Sequence, residues 1–260
     1  GHEGSGYVVD VGPSVTKVSP EDAVVLHWMK GSGINSSTPI YYDELGRMNA
    51  GWITTFNEYG VISENRITKI PKETNLELAC LLGCCVTTGV GVVLNEARPL
   101  PNDSVAVYGC GGVGLNSIQA AKLLNAYPII AVDNNCESLE LAKKFGATHL
   151  LNSNQVDSIN EIKKITNNSG AQYIFVTTAN LKGIESAIES ASCPSEVYLV
   201  GVPPENSKIM IDPLAIHRSR KLQGSCGGAI IPDRDINKYL ELYNRGLLKL
   251  EELISQRFNL

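Results

Sequence analysis

Val105-Ala106-Val107-Tyr108-Gly109-Cys110-Gly111-Gly112-Val113-Gly114 is the stretch that decides the fold. Four strand-forming residues run directly into glycines spaced Gly-x-Gly-x-x-Gly at 109, 111 and 114, and an apolar helical pattern follows at once. In a strand-to-helix turn the three glycines serve a tight bend, close approach of a pyrophosphate, and close packing of helix on strand. The helix start adds unpaired N–H groups and a partial positive charge facing the phosphates. Glycine spacing alone is a weak signal. The next strand, however, ends in Ala131-Val132-Asp133, and Asp133 stands roughly 20 residues beyond the turn, where an acid accepts the hydrogen bonds of an adenosine ribose. The combination points to a nicotinamide dinucleotide held by Gly109, Gly111, Gly112, Val113, Gly114 and Asp133, with NAD favoured over NADP. The competing reading is a glycine-rich turn of another doubly wound fold, with Asp133 capping the following helix.

Outward from that turn the chain alternates. Strands are expected at 104–108, 129–133, 173–177, 196–200 and 221–225, and helices at 113–124, 137–145, 159–167 and 182–190, which builds an α/β domain with a doubly wound parallel sheet over residues 86–226. An amphipathic helix is expected at 235–245, within a return segment 227–260. Before the turn, residues 1–85 read differently. Gly6 to Leu26 is Val-rich and Gly-punctuated, Lys30 to Gly51 is polar and turn-rich, Trp52 to Ile70 returns to short strands, and Leu76 to Leu94 has the length of a helix interrupted by glycines.

Composition narrows the function. A net charge of -5 and no Lys/Arg cluster leave no footprint for nucleic acid or an anionic bilayer. No apolar run reaches the roughly 18 residues of a membrane span, so a small-molecule partner is expected. The seven cysteines are odd in number and never spaced Cys-x-x-Cys, which argues against a disulfide framework or zinc ribbon and for a reducing, cytoplasmic setting. No Gly-x-Ser-x-Gly elbow supports hydrolytic chemistry.

Several separated motifs then agree: Gly-His-Glu-Gly-Ser-Gly at 1–6, Phe56-Asn57-Glu58-Tyr59, Leu82-Gly83-Cys84-Cys85-Val86-Thr87-Thr88-Gly89, the glycine turn, and Val200-Gly201-Val202-Pro203-Pro204. In this order they resemble the zinc-dependent medium-chain alcohol dehydrogenases over nearly the whole chain. The resemblance implies a partial, mainly β GroES-like catalytic domain at 1–85 beside the Rossmann domain. It nominates His2 and Cys84 as ligands of one catalytic zinc, with Glu3 as a nearby or alternative carboxylate. Imidazole and thiolate suit zinc. Thr88 matches a residue beside the nicotinamide, and Thr178, Val200 and Val202 match positions along the cofactor's ribose and carboxamide side. A Gly-His start is also what a processing remnant leaves, and a buried helix cysteine is the common fate of a free thiol; of Cys84 and Cys85, Cys84 alone aligns with the family's Gly-Cys step.

The resemblance implies interconversion of an alcohol with an aldehyde or ketone, zinc acting as Lewis acid while hydride passes to NAD. A homo-oligomer, dimer or tetramer, is implied for the complete molecule. Both ends look cut, with the family's other zinc cysteine and proton relay expected upstream. Residues 30–51 hold no cysteine, so no structural zinc is expected, and the loop 34–49 is expected to line the substrate cleft. Two rivals remain, a zinc-free quinone or enone reductase of the same superfamily and a non-catalytic dinucleotide-binding protein.

Overall fold

The computed structural model describes residues 1–48 and 51–260; Asn49, the end of the expected cleft loop, lies outside them. The chain divides into two compact units, Gly1–Thr87 with Ile230–Leu260, and Thr88–Ala229.

The first unit is built on short strands. β1 (Gly4–Tyr7), β2 (Ala23–Leu26) and β5 (Ile67–Lys69) form an antiparallel sheet in the order β1-β2-β5, and β3 (Tyr41–Asp43) pairs with β4 (Gly46–Met48) in a separate hairpin. Between Trp52 and Ile70 only β5 is a strand. The backbone there is satisfied in other ways, as the Thr55 N–H donating to the Gly1 carbonyl and the Asn65 N–H donating to the Ile34 carbonyl show. The helix expected at 76–94 is broken. It runs as α1 (Leu76–Ala79), a 3-10 turn at Cys80–Gly83, α2 (Cys85–Gly91) and a π-helical stretch, Val92–Ala97. Gly83 ends the 3-10 turn hard against β2, where a Cβ would collide with the Leu26 carbonyl oxygen.

In the second unit β6 (Val105–Tyr108), α3 (Gly112–Leu123), β7 (Ile129–Asp133), α4 (Cys136–Phe145), β8 (His149–Asn152), α5 (Ser158–Ile165), β9 (Ala171–Val176), α6 (Leu181–Glu189), β10 (Ala191–Leu199), α7 (Pro213–His217) and β11 (Arg220–Gly224) follow in turn. The strands lie in the order β11-β10-β9-β6-β7-β8, all parallel. The order reverses between β6 and β9, and ligands of such sheets bind in the crevice outside the strand ends at that point. All four β6 residues are buried, as a strand covered on both faces requires. β8 was not anticipated: it is a four-residue edge strand with one buried side chain, Leu151.

The chain then returns to the first unit through α8 (Pro232–Asn244), which opens on Pro232 with Asp233 and Asp235 in its first turn and buries Ile236, Tyr239 and Leu240. Among the described residues no single helix is long and apolar enough to cross a membrane; the apolar pair Leu76–Gly83 and Cys85–Ala97 is bent by 54°. All seven cysteines are free.

Candidate functional site

The glycine turn of the second unit has the form its spacing implies. Gly109 takes φ +96°, a left-handed conformation that suits glycine. A Cβ on Gly114 would run into the Gly109 carbonyl oxygen, so this glycine lets α3 start hard against the turn, whereas a Cβ on Gly111 would meet nothing within 4 Å. Gly111 precedes α3 with no side-chain cap on the helix start. Gly112 and Val113 supply the first N–H groups of a twelve-residue helix beside open space, the arrangement that receives a phosphate.

Asp133 ends β7 facing this turn. Its Oδ2 accepts the Cys110 N–H at 2.6 Å and its Oδ1 accepts the Asn135 N–H at 2.9 Å. An ionised carboxylate has about four lone-pair sites, so both oxygens keep capacity for a diol. Cys110 is not a reactive group: burial, and then the Asp133 charge, push its thiol up to about 12. Thr177 went unnoticed in the sequence. Its Oγ1 donates to the Gly109 carbonyl at 2.7 Å, with the Tyr108 carbonyl at 3.1 Å, clamping the turn from the neighbouring strand. Nothing but tertiary contact distinguishes this threonine from its neighbour.

Thr178 and Val200 follow the carboxyl ends of β9 and β10. They are drawn close because Gly201 approaches the Thr178 carbonyl so tightly that a Cβ would lie 2.6 Å from it. Val202 stands 87% exposed at the same end. Thr88, on α2, is buried, with its carbonyl packed on Gly228.

In the first unit the segment Gly1-His2-Glu3 is docked in the fold. Glu3 Oε1 accepts the Cys85 N–H at 2.6 Å, so this carboxylate holds the start of α2, where an acid also favours the helix dipole. Cys84 lies between the 3-10 turn and α2 with φ -153° and ψ -71°, half-buried. Cys85 is a different kind of thiol: burial first, then the Glu3 charge, hold it protonated well above the usual range, and it donates to the Leu81 carbonyl. His2 and Glu3 line separate clefts. His2 borders one of 520 Å³ with Trp28, Lys30, Trp52 and Arg66, whereas Glu3 borders one of 780 Å³ along β1. Among the described residues no three His, Cys, Asp or Glu side chains converge on a point that could hold a metal ion. Catalytic zinc takes three protein ligands, and the donors described here do not assemble that set.

Residues 1–72 match the family model described as alcohol dehydrogenase GroES-like domain, and residues 112–245 match that described as zinc-binding dehydrogenase. The first match includes Gly1 and His2. An S-(hydroxymethyl)glutathione dehydrogenase of Escherichia coli is 32% identical over 287 aligned positions, covering 100% of this chain and 78% of that protein. Among solved structures, an alcohol dehydrogenase zinc-binding domain protein from Burkholderia ambifaria has a TM-score of 0.83 at 27% identity. Benzyl alcohol dehydrogenase from Acinetobacter calcoaceticus has a TM-score of 0.83 at 28% identity; each alignment covers 96% of this chain and 74% of the other. With both family models matched in chain order around a Rossmann sheet and its glycine turn, this chain belongs to the zinc-type medium-chain alcohol dehydrogenases, a family of oxidoreductases.

Proposed function

We propose that the protein interconverts an alcohol with its aldehyde or ketone using NAD in preference to NADP. The observation that carries the cofactor choice is Asp133, fixed by two backbone N–H groups at the edge of the glycine turn. Gly109, Gly111, Gly112, Val113 and Gly114 would hold the pyrophosphate, and Asp133 the adenosine ribose. Thr178, Val200 and Val202 would lie along the rest of the cofactor, with Thr88 beside the nicotinamide. When bound, the cofactor supplies the hydride acceptor; the chain supplies binding and alignment. A 2′-phosphate would bring like charges within about 4 Å of each other, a cost up to about 4 kcal/mol at an effective dielectric of about 20, and Asn134 offers no compensating cation. Titration with NADH and NADPH tests this. Tighter NADH binding is expected; equal dissociation constants would remove the assignment, and tighter NADPH would favour the zinc-free enone reductase reading.

The family implies zinc, and His2 and Cys84 are the donors this chain would contribute. Glu3 is bonded to the Cys85 N–H and borders a different cleft from His2, so the described donors do not make up a set of three, and no step of the reaction is routed through the metal here. Metal analysis of the 260-residue chain after dialysis is expected to give clearly less than one zinc per molecule, with no structural zinc from residues 30–51. A full equivalent of tightly held zinc would show that the donor set is complete.

A further inference from the structure

Arg66 is a buried cation without a counter-ion among the described residues. It is 4% exposed, its Nε is buried with no hydrogen-bond partner, and its recorded contact is the Trp52 ring, 4.8 Å from the guanidinium carbon. A cation–π contact offsets only a small part of the cost of taking a guanidinium out of water. Two acids of the same unit are committed elsewhere. Glu64 is spent on the N–H groups of Thr16, Lys17 and Ile34, and Asp233 on Lys17, Ser32 and Thr68. A purely structural arginine would spend its donors on carbonyl groups. Arg66 instead borders the 520 Å³ cleft, shared with His2, Trp28, Trp52 and Lys30, and Lys30 is exposed and forms no ion pair among the described residues.

We propose that this cleft is the substrate site and that the substrate carries an oxyanion, a carboxylate or phosphoryl group, received by Arg66 with Lys30 as a second cation. The inference rests on the alcohol dehydrogenase reading and gives it a substrate class. Planar guanidinium donors match the two oxygens of such a group. The flanking indoles contact the carbon skeleton, which leaves the other end of the substrate for the side of the cleft that His2 borders. On this assignment Arg66 is a specificity-determining residue for the reaction.

Both tryptophans of the chain border this cleft, so intrinsic fluorescence reports on it directly. Titration with succinate, methylphosphonate and neutral succinamide is expected to give a saturable change with an anion and none with the amide. The tighter of the two anions identifies the oxyanion. Arg66→Gln should weaken that binding by about tenfold or more, the scale for losing a charged hydrogen-bond partner, while Arg66→Lys recovers part of it and NADH binding reports that the variant is folded. In the same fluorescence titration, wild-type protein should bind 4-oxobutanoate more tightly than butanal. An equal response to both aldehydes, with no anion-specific fluorescence change and NADH binding retained, overturns the oxyanion site and leaves the dehydrogenase reading intact. Anion binding by a protein that shows no NADH binding overturns the dehydrogenase reading and the role of this cleft as its substrate site. Because the wild-type comparison decides the matter alone, an Arg66→Gln variant that fails to fold does not protect the proposal.

Discussion

The two units satisfy their backbones by different means. In Thr88–Ala229 six parallel strands pair with one another, so the polar groups of the core are shared out along ladders. In the other unit the three sheet strands are only four, four and three residues long, and single carboxylates bind the loops. Glu64 takes three N–H groups at 2.7 Å each, and Gly33, at φ +104°, brings its loop so close that a Cβ would lie 2.8 Å from that carboxylate. Asp233 takes the Lys17 ammonium at 2.5 Å, both Ser32 donors and the Thr68 hydroxyl. Stability spread over a ladder tolerates the loss of any one side chain. Stability gathered on a few acids does not, and it depends on pH.

The sharpest test of this contrast is Glu64→Ala. Three charge-assisted bonds at about 1.5–3 kcal/mol each, partly replaced by water, predict a loss of about 4 kcal/mol. Thermal unfolding followed by fluorescence of Trp28 and Trp52, both in the loop-bound unit, should show it as a large drop in midpoint. An unchanged midpoint would mean that the loops are held by something other than this carboxylate. Next in size is Gly114→Ala in the sheet unit. The added methyl meets the Gly109 carbonyl, and displacing the turn by overpacking should cost about 1–3 kcal/mol, seen as much weaker NADH binding with tryptophan fluorescence unaltered.

Acid provides the third test. Lys17 and the Ser32 donors hold the Asp233 carboxyl at about 2 against the opposing effect of burial, and backbone N–H groups lower Glu64. A carboxyl depressed on folding contributes fully above its unfolded value and loses that contribution as pH falls through the folded one. Asp233 alone, after allowance for solvent screening of a partly exposed carboxyl, therefore carries about 1 kcal/mol that should disappear between about pH 4 and pH 2. Buried His27, its imidazole lowered by desolvation and bonded to Met29 and Thr68, acts in the same direction below its unfolded value. The tryptophan signal should fall across this range, and in Asp233→Asn that fall should be shallower. An acid midpoint that ignores the substitution would shift the explanation to other groups.

The smallest expected effect is Thr177→Val, which removes one hydroxyl from the glycine turn. A net hydrogen bond is worth about 1 kcal/mol, so the NADH dissociation constant should rise several-fold. No change would demote Thr177 to packing.

The same contrast decided what could be read from residue order. Ladder-held structure leaves a periodic trace, and β7 was placed to the residue, with α3, α4 and α6 displaced by a single position at their starts. β8 escaped because His149-Leu150-Leu151-Asn152 has only one buried side chain and no alternation. Carboxylate-held structure leaves no such trace, so Trp52–Ile70 looked like strands when most of it is irregular. The site divides along the same line. Glycine spacing and Asp133 announce themselves, as do the chemical types of His2 and Cys84. That Glu3 would be engaged by the Cys85 N–H, or that Arg66 between Asn65 and Ile67 would be buried against Trp52, depends on contacts distant in sequence.

Asp133 does two jobs at once, and this bears on how the protein can change over generations. On the proposed reading its carboxylate rejects a 2′-phosphate, yet the same two oxygens anchor the Cys110 N–H of the glycine turn and the Asn135 N–H at the head of α4. A substitution that merely opened the site to the phosphorylated cofactor would also release the turn on which either cofactor depends. Drift toward the other cofactor must then pass through an ancestor that binds both poorly, unless compensating donors and acceptors arise first. Cofactor preference in this chain is in that sense insulated from single mutations, and an engineer wishing to reverse it would have to rebuild the turn before touching the acid.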